Sequence, residues 1–305
     1  MESSSPLPPS TQLARLPTPL QQLNGKCTGT TNLWLKRDDM TGIELSGNKV
    51  RKLEFLMNDA LSSGSEIVLT CGGIQSNHAR ATALSAAQLG LKCHLLLRGQ
   101  PPEADSGNQF LGSIAGADVT WLTPEEYQNR DEFFERVTAQ YKREGRASYV
   151  IPEGGSNALG VFGYVTGYEE MRRQLQEQGV QARHVYTAVG SGGTLAGLLA
   201  GWVKTGRCGP KPIGIPVCDD AAYFTDRITT ILENYRATYG EPIPEPEEIE
   251  LLDGWVGLGY ARSQPHELEL IRSIATLYGF FLDPVYTVKG WMGMIDHRSL
   301  SLIHI

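Results

Sequence analysis

Four short stretches of this 305-residue chain set polar side chains beside glycines, where a strand or turn gives way to a helix. Open α/β folds place ligand sites at such points. In Ser46-Gly47-Asn48-Lys49-Val50-Arg51-Lys52 a lysine opens a helix next to a turn. The positive helix end and the two cations that follow would lower its ammonium pKa. A lysine so depressed can form a Schiff base with an aldehyde and afterwards carry protons. Taken alone, the stretch reads more simply as the solvated face of a surface helix.

The second stretch, Thr70-Cys71-Gly72-Gly73-Ile74-Gln75-Ser76-Asn77-His78, follows an apolar strand and opens the next helix. Its glycines let backbone approach a ligand, and Ser76 and Asn77 offer a hydroxyl and an amide suited to a phenolate oxygen or a carboxylate. An ordinary Ser or Asn N-cap accounts for the pair as well. In the third, Gly190-Ser191-Gly192-Gly193-Thr194-Leu195-Ala196-Gly197, successive bare amides at a helix start make a phosphate cup. Thr194 can add a hydroxyl bond, and Gly197 would let the helix pack close to the sheet. The fourth comprises Gly257-Leu258-Gly259-Tyr260 and Asp283-Pro284-Val285-Tyr286-Thr287, two loops that each present a tyrosine. A phenol can donate, accept or transfer a proton, although either ring also serves as packing with a polar handle.

The glycine loop is no dinucleotide fingerprint, because the sixth position counted from Gly190 is Leu195, and it lacks the Gly-Lys-Thr ending of a P-loop. A phosphate without a nucleotide, together with a lysine ready for an aldehyde, describes pyridoxal 5'-phosphate (PLP).

These stretches need rigid elements to hold them. Alternation and helical spacing predict strands at 33–36, 67–70, 93–97, 118–121, 184–189 and 213–217. Helices are predicted at 49–62, 77–88, 109–114, 162–178, 194–204 and 265–278, and the Pro- and Glu-rich residues 240–250 as a solvated connector. Strand and helix alternate as in parallel βαβ units. The length suits two domains or one large α/β domain.

Hydrophobic residues at 41% and charged residues at 20% exclude a disordered, collagen-like or membrane-spanning chain. A net charge of -7 without any Lys/Arg run argues against nucleic acid as a partner. Cys27, Cys71, Cys93, Cys208 and Cys218 are scattered and form no CxxC pair, so neither disulfides nor a metal site is expected, and a reducing compartment fits. Residues 1–15 match neither a secretory signal nor a good transit peptide. The expected location is cytoplasmic, with organelle import left open.

Together with Leu16-Pro17-Thr18-Pro19-Leu20 and Lys36-Arg37-Asp38-Asp39, the stretches resemble the D-cysteine desulfhydrase and 1-aminocyclopropane-1-carboxylate (ACC) deaminase family of tryptophan synthase β-like PLP enzymes, over about residues 16–289. The resemblance implies two open, twisted parallel-sheet α/β domains flanked by helices, with PLP in the cleft between them, and a homodimer. The large domain is expected at 1–55 plus 164–305 and the small one at 56–163. By the same resemblance Lys49 is the Schiff-base lysine, Asn77 contacts the ring oxygen, and Gly190, Ser191, Gly192, Gly193 and Thr194 hold the phosphate with help from Lys52. Ser76 faces the carboxylate of a small amino-acid substrate, and Tyr260 and Tyr286 the bond being broken.

ACC deaminases resemble one another in carrying Glu after that second tyrosine, placed to protonate the pyridine nitrogen. Thr287 stands there instead. A neutral hydroxyl suffices for eliminating a good leaving group, so the expected reaction is β-elimination of D-cysteine to pyruvate, hydrogen sulfide and ammonia. The alternatives are ACC deamination and a catalytically inactive PLP-binding protein. Val288 replaces the glycine of the family pattern, and the ending Leu300-Ser301-Leu302-Ile303-His304-Ile305 reads like a translated transposon end. Residues from about 288 to 305 are therefore expected to be non-native, and the large domain to be shortened.

Overall fold

Apolar residues alternate along the strands and recur at helical spacing between them, so each face of a sheet finds helices to cover it. The computed structural model describes residues 6–23, 33–42, 44, 47–297 and 301–304; Ser46 and Cys27, named above, lie outside them. Along the chain run β1 (Leu20–Leu23), β2 (Leu33–Lys36), α1 (Lys49–Ser62), β3 (Ile67–Gly73), α2 (Asn77–Gln88), β4 (Lys92–Arg98) and α3 (Gly107–Ile114). Then follow β5 (Asp118–Leu122), α4 (Pro124–Gln128), α5 (Arg130–Arg143), β6 (Ser148–Val150), α6 (Ala158–Glu177), β7 (His184–Val189) and α7 (Gly193–Lys204). The remainder are β8 (Lys211–Pro216), α8 (Ala221–Tyr239), β9 (Glu250–Leu251), α9 (Pro265–Tyr278), α10 (Thr287–His297) and β10 (Ser301–His304). Among the described residues no helix is long and apolar enough to cross a membrane.

One compact unit joins Met1–Arg15 to Thr41–Gly160 around four parallel strands in the order β5-β4-β3-β6. The two-residue period divides its core. Val68, Cys93, Leu95 and Leu97 pack with Val50, Leu53, Leu56 and Met57 of α1 and with Ala79, Ala83 and Ala86 of α2. Ile67, Leu69, Cys71 and Leu96 turn the other way, onto Tyr127 of α4 and Phe134, Val137 and Tyr141 of α5. Burying one such aliphatic side chain stabilises the fold by about 1.5–3 kcal/mol.

The unit boundaries differ from the expected 56–163, since the described residues of 6–15 and 47–55 belong here. Glu54 Oε1 accepts from the backbone N–H groups of Leu13 and Ala14, each at 2.9 Å, and Arg15 N–H donates to the Thr41 carbonyl at 2.8 Å. Leu13 and Ala14 also join the apolar cluster of Val50 and Leu53.

The second unit joins Leu16–Met40 to Val161–Ile305 around six strands in the order β1-β2-β10-β7-β8-β9. β1 is antiparallel to β2 and every other pairing is parallel. Ile274 of α9 and Val288, Trp291 and Met294 of α10 cover Leu33, Leu35, Tyr186, Ile213 and Ile215. Residues 288–297 contribute Val288, Trp291 and Met294 to this core. Gly197 also serves differently from its expected role. A Cβ there would meet Val161 and Tyr164, so the glycine brings α7 against α6, and it is Gly214 of β8 that admits Leu195 of α7 onto the sheet.

Lys36, Asp38 and Thr18 are fully buried with Glu170 of α6. Lys36 Nζ donates to Glu170, to the Thr18 carbonyl at 2.7 Å and to Gln174 Oε1 at 2.8 Å, while Asp38 accepts from Thr18 Oγ1 at 2.7 Å and Tyr164 OH at 2.6 Å. Charges are tolerated inside a protein only with such partners. The motif at 36–39 is therefore a structural fastening of β2 to α6.

Candidate active site

Lys49 is the first residue of α1, half-buried, with Nζ 2.9 Å from Asn48 Oδ1. The chain reaches it through Gly47 at φ +101, a conformation that suits glycine. Buried Thr41 grips this turn with one hydroxyl, which accepts from Gly47 N–H at 2.9 Å and donates to its carbonyl at 3.2 Å. Arg51 and Lys52 are 1% and 0% exposed, which removes the solvated-face reading of the stretch.

Ser76 caps α2, its Oγ accepting from Ala79 N–H at 3.1 Å. A Cβ on Gly72 would lie 2.5 Å from that oxygen, so the glycine makes room for the cap. The capping reading of Ser76 is realised, and the hydroxyl keeps its proton for a further acceptor. Asn77 follows as the first residue of α2, with Oδ1 accepting from Asn108 Nδ2 at 2.7 Å. Buried His78 lies behind them. Thr70 Oγ1 spends its hydrogen on the Ile151 carbonyl at 2.8 Å, so the 2.8 Å contact to His78 Nε2 makes that nitrogen the donor. Burial, then Lys52 and Lys49, hold His78 well below the usual histidine pKa of 6.5. It is a neutral imidazole.

In the second unit, Gly190, Ser191, Gly192, Gly193 and Thr194 form the turn from β7 into α7. Gly192, at φ +86, contributes no side-chain cap to the helix. Arg227 Nε donates to the Ser191 carbonyl at 3.0 Å and fixes the turn from α8. Tyr286 packs on this loop, since a Cβ on Gly190 would lie 2.7 Å from its Cε1. Its phenol is 2.9 Å from that of Tyr260, with the rings edge-on at 71°. Burial first, then Tyr260, Asp283 and Cys218, push Tyr286 well above the usual 10 and keep it protonated. Both sequence-predicted tyrosines and the glycine loop are thus brought together.

Sequence reasoning does not single out Lys289. It is fully buried on α10 and donates to the carbonyls of Val217 at 3.2 Å, Val256 at 2.7 Å and Gly259 at 3.0 Å. It thereby holds the loop that ends in Tyr260, where Gly259 and Ala261 both have positive φ. Asp283 caps α10: its carboxylate accepts from the backbone N–H groups of Val285, Tyr286 and Thr287 and from Thr287 Oγ1 at 2.7 Å.

The donor set fits PLP group by group. Lys49 carries a primary amine, Asn77 an amide and the 190–194 turn a helix start without a side-chain cap, the kinds of group that an aldehyde, a ring oxygen and a phosphate would each take. The sequence pattern of the pyridoxal-phosphate dependent enzymes matches residues 11–303. The mitochondrial bifunctional D-cysteine desulfhydrase/1-aminocyclopropane-1-carboxylate deaminase of Arabidopsis thaliana is 40% identical over 304 residues, covering 95% of this chain and 74% of its own. A putative 1-aminocyclopropane-1-carboxylate deaminase of Thermotoga maritima is 40% identical over 299 residues, covering 96% and 94%. The crystal structure of an ACC deaminase homologue superposes with a TM-score of 0.89 at 34% identity, covering 98% of this chain and 91% of that one. This chain belongs to the pyridoxal-phosphate dependent enzymes, in their D-cysteine desulfhydrase and ACC deaminase group, and its cofactor is pyridoxal 5'-phosphate.

Proposed function

We propose that this PLP enzyme is a D-cysteine desulfhydrase, releasing pyruvate, hydrogen sulfide and ammonia. The observation that carries the choice is Thr287. Its hydroxyl is neutral and bonded to Asp283, at the position where the family resemblance puts a glutamate in ACC deaminases. When bound, PLP supplies the electron sink for charge developing at the substrate Cα. The remaining work falls to side chains of this chain. Lys49 Nζ would take up the Cα proton. Ser76 donates to the substrate carboxylate, and the Tyr260–Tyr286 pair, in which Tyr286 is kept protonated, donates to the departing sulfur. Asn77 holds the ring oxygen and residues 190–194 the phosphate, with Lys52 assisting.

ACC deamination is the second reading, favoured by the name of the Thermotoga relative and by one half of the Arabidopsis name. Sulfide, pyruvate and 2-oxobutyrate release from D-cysteine, L-cysteine and ACC in parallel, with Lys49→Ala as control, separates them. Sulfide from D-cysteine, abolished in the control, is the expected result. Turnover of ACC alone would replace the desulfhydrase reading. A homodimer and cytosolic residence belong to the same proposal, tested by sedimentation and by fractionation; the Arabidopsis relative is named as mitochondrial.

A further inference from the structure

Asn77 reaches its acceptor through a chain of side chains that begins away from the reacting groups. Asn108, second residue of α3, sends both hydrogens of Nδ2 to acceptors, the Gln75 carbonyl at 2.9 Å and Asn77 Oδ1 at 2.7 Å. Its own Oδ1 accepts from Arg80 Nη1 at 3.2 Å. With a cation on its oxygen side and two carbonyl-type oxygens on its nitrogen side, the carboxamide of Asn108 has one satisfied orientation. That orientation is inherited by Asn77, whose oxygen must face Asn108 and whose NH2 must face away.

The backbone carrying Asn108 is fixed separately. Gln75 Oε1 accepts from Asn108 N–H at 2.8 Å, and Gln75 Nε2 donates to the Ser106 carbonyl at 3.1 Å. Gly107, at φ +56, leaves room for that amide, since a Cβ there would collide with Gln75 Oε1.

We infer that Asn108 is a positioning residue for the cofactor. Arg80, Asn108 and Asn77 form a polarised relay that presents the Asn77 NH2, and never its oxygen, to the anionic ring oxygen of PLP. Each bond in the relay withdraws charge from the next donor, which strengthens the last one. The inference rests on the reading of Asn77 as the ring-oxygen contact. Asn108→Asp is the informative change. A carboxylate keeps the Arg80 contact and the shape of the side chain, but accepts where the amide donates, so Asn77 must turn its NH2 inward and its oxygen toward the ring oxygen.

The test is a fluorescence titration of the full-length apoprotein with PLP and with 3-deoxypyridoxal 5'-phosphate, which lacks the ring oxygen. Asn77→Ala, Asn108→Asp, Asn108→Ala and the double variants are compared, with thermal midpoints of each apoprotein as a check on folding. Asn108→Asp is expected to weaken PLP about tenfold to a hundredfold, the range for a hydrogen bond to a charged group. It should leave the deoxy analogue unchanged and add nothing to Asn77→Ala. Asn108→Ala should fall between it and the parent. Equal loss for both ligands would overturn the inference, making Asn108 a fastening of the loop alone. Discrimination lost in Asn77→Ala but kept in both Asn108 variants would overturn the relay and spare the Asn77 reading. Discrimination kept in Asn77→Ala would remove that reading, and the relay with it.

Discussion

Lys289→Met would leave the shape of α10 intact while removing the ammonium that three carbonyls share. Val217 is fully buried, so its carbonyl, deprived of a donor, costs about 1–3 kcal/mol. Val256 and Gly259 flank Leu258, which is 60% exposed, and water can replace the ammonium there at smaller cost. Relief of a buried charge offsets part of the sum. A net loss of about 2 kcal/mol follows, which for a unit of this size lowers Tm by about 4–8 °C.

The larger effect falls on turnover. With the loop released, the Tyr260 phenol no longer sits 2.9 Å from Tyr286, and a displacement of about 1 Å at a reacting group costs about a hundredfold in rate. Thermal melts and steady-state sulfide release from D-cysteine measure the two effects on one preparation. A lowered Tm with undiminished kcat would show that the ammonium serves the core and not Tyr260. Parent-like values of both would refute the argument altogether.

Two further outcomes are expected. Gly190→Ala puts a methyl 2.7 Å from Tyr286 Cε1, so PLP affinity and turnover should fall at least about tenfold, and the overpacking should cost about 1–3 kcal/mol of stability; parent-like cofactor titration would count against the loop as the phosphate seat. His78 resists protonation in the fold, so as pH falls through 6.5 the unfolded chain takes up a proton that the native one refuses. Stability, complete above 6.5, should decline below it by up to about 1.4 kcal/mol per pH unit for this group. His78→Gln should flatten that limb in urea melts at pH 7, 6 and 5; identical slopes would dismiss His78 as its source.

Much of the scaffold is legible where period and punctuation agree. α1 opens at Lys49 after a glycine, β7 is a short, largely buried run from His184 to Val189 that ends at the glycine loop, and α9 has Pro at its first turn and Gly279 at its end. Other elements hide their signal. α5 buries only Phe134, Val137 and Tyr141 among charged neighbours, and α8 carries its stripe of Phe224, Ile228, Ile231, Leu232 and Tyr235 among threonines that favour strands. The glycine loop and both tyrosines are readable because few structural roles need those residues together. Asn108 and Lys289 are not, since their importance lies in partners 28 and more residues away. A hydrogen bond between distant segments leaves no periodic trace. Buried Lys36 and Asp38 make the converse case, charged residues whose motif marks the family while their side chains fasten the core.

Each compact unit is assembled from two separated segments, and this orders events during synthesis. The ribosome releases residues 16–40 before most of the first unit exists, yet of the two strands within them β2 has only β1 as an early neighbour. Its partner on the other side, β10, follows the whole of the first unit in the sequence. The first unit can close once residue 160 has emerged, with the apolar 33–36 strand still waiting between its two pieces. Until β10 has emerged, that strand keeps one edge without its native neighbour, and the second sheet stays divided.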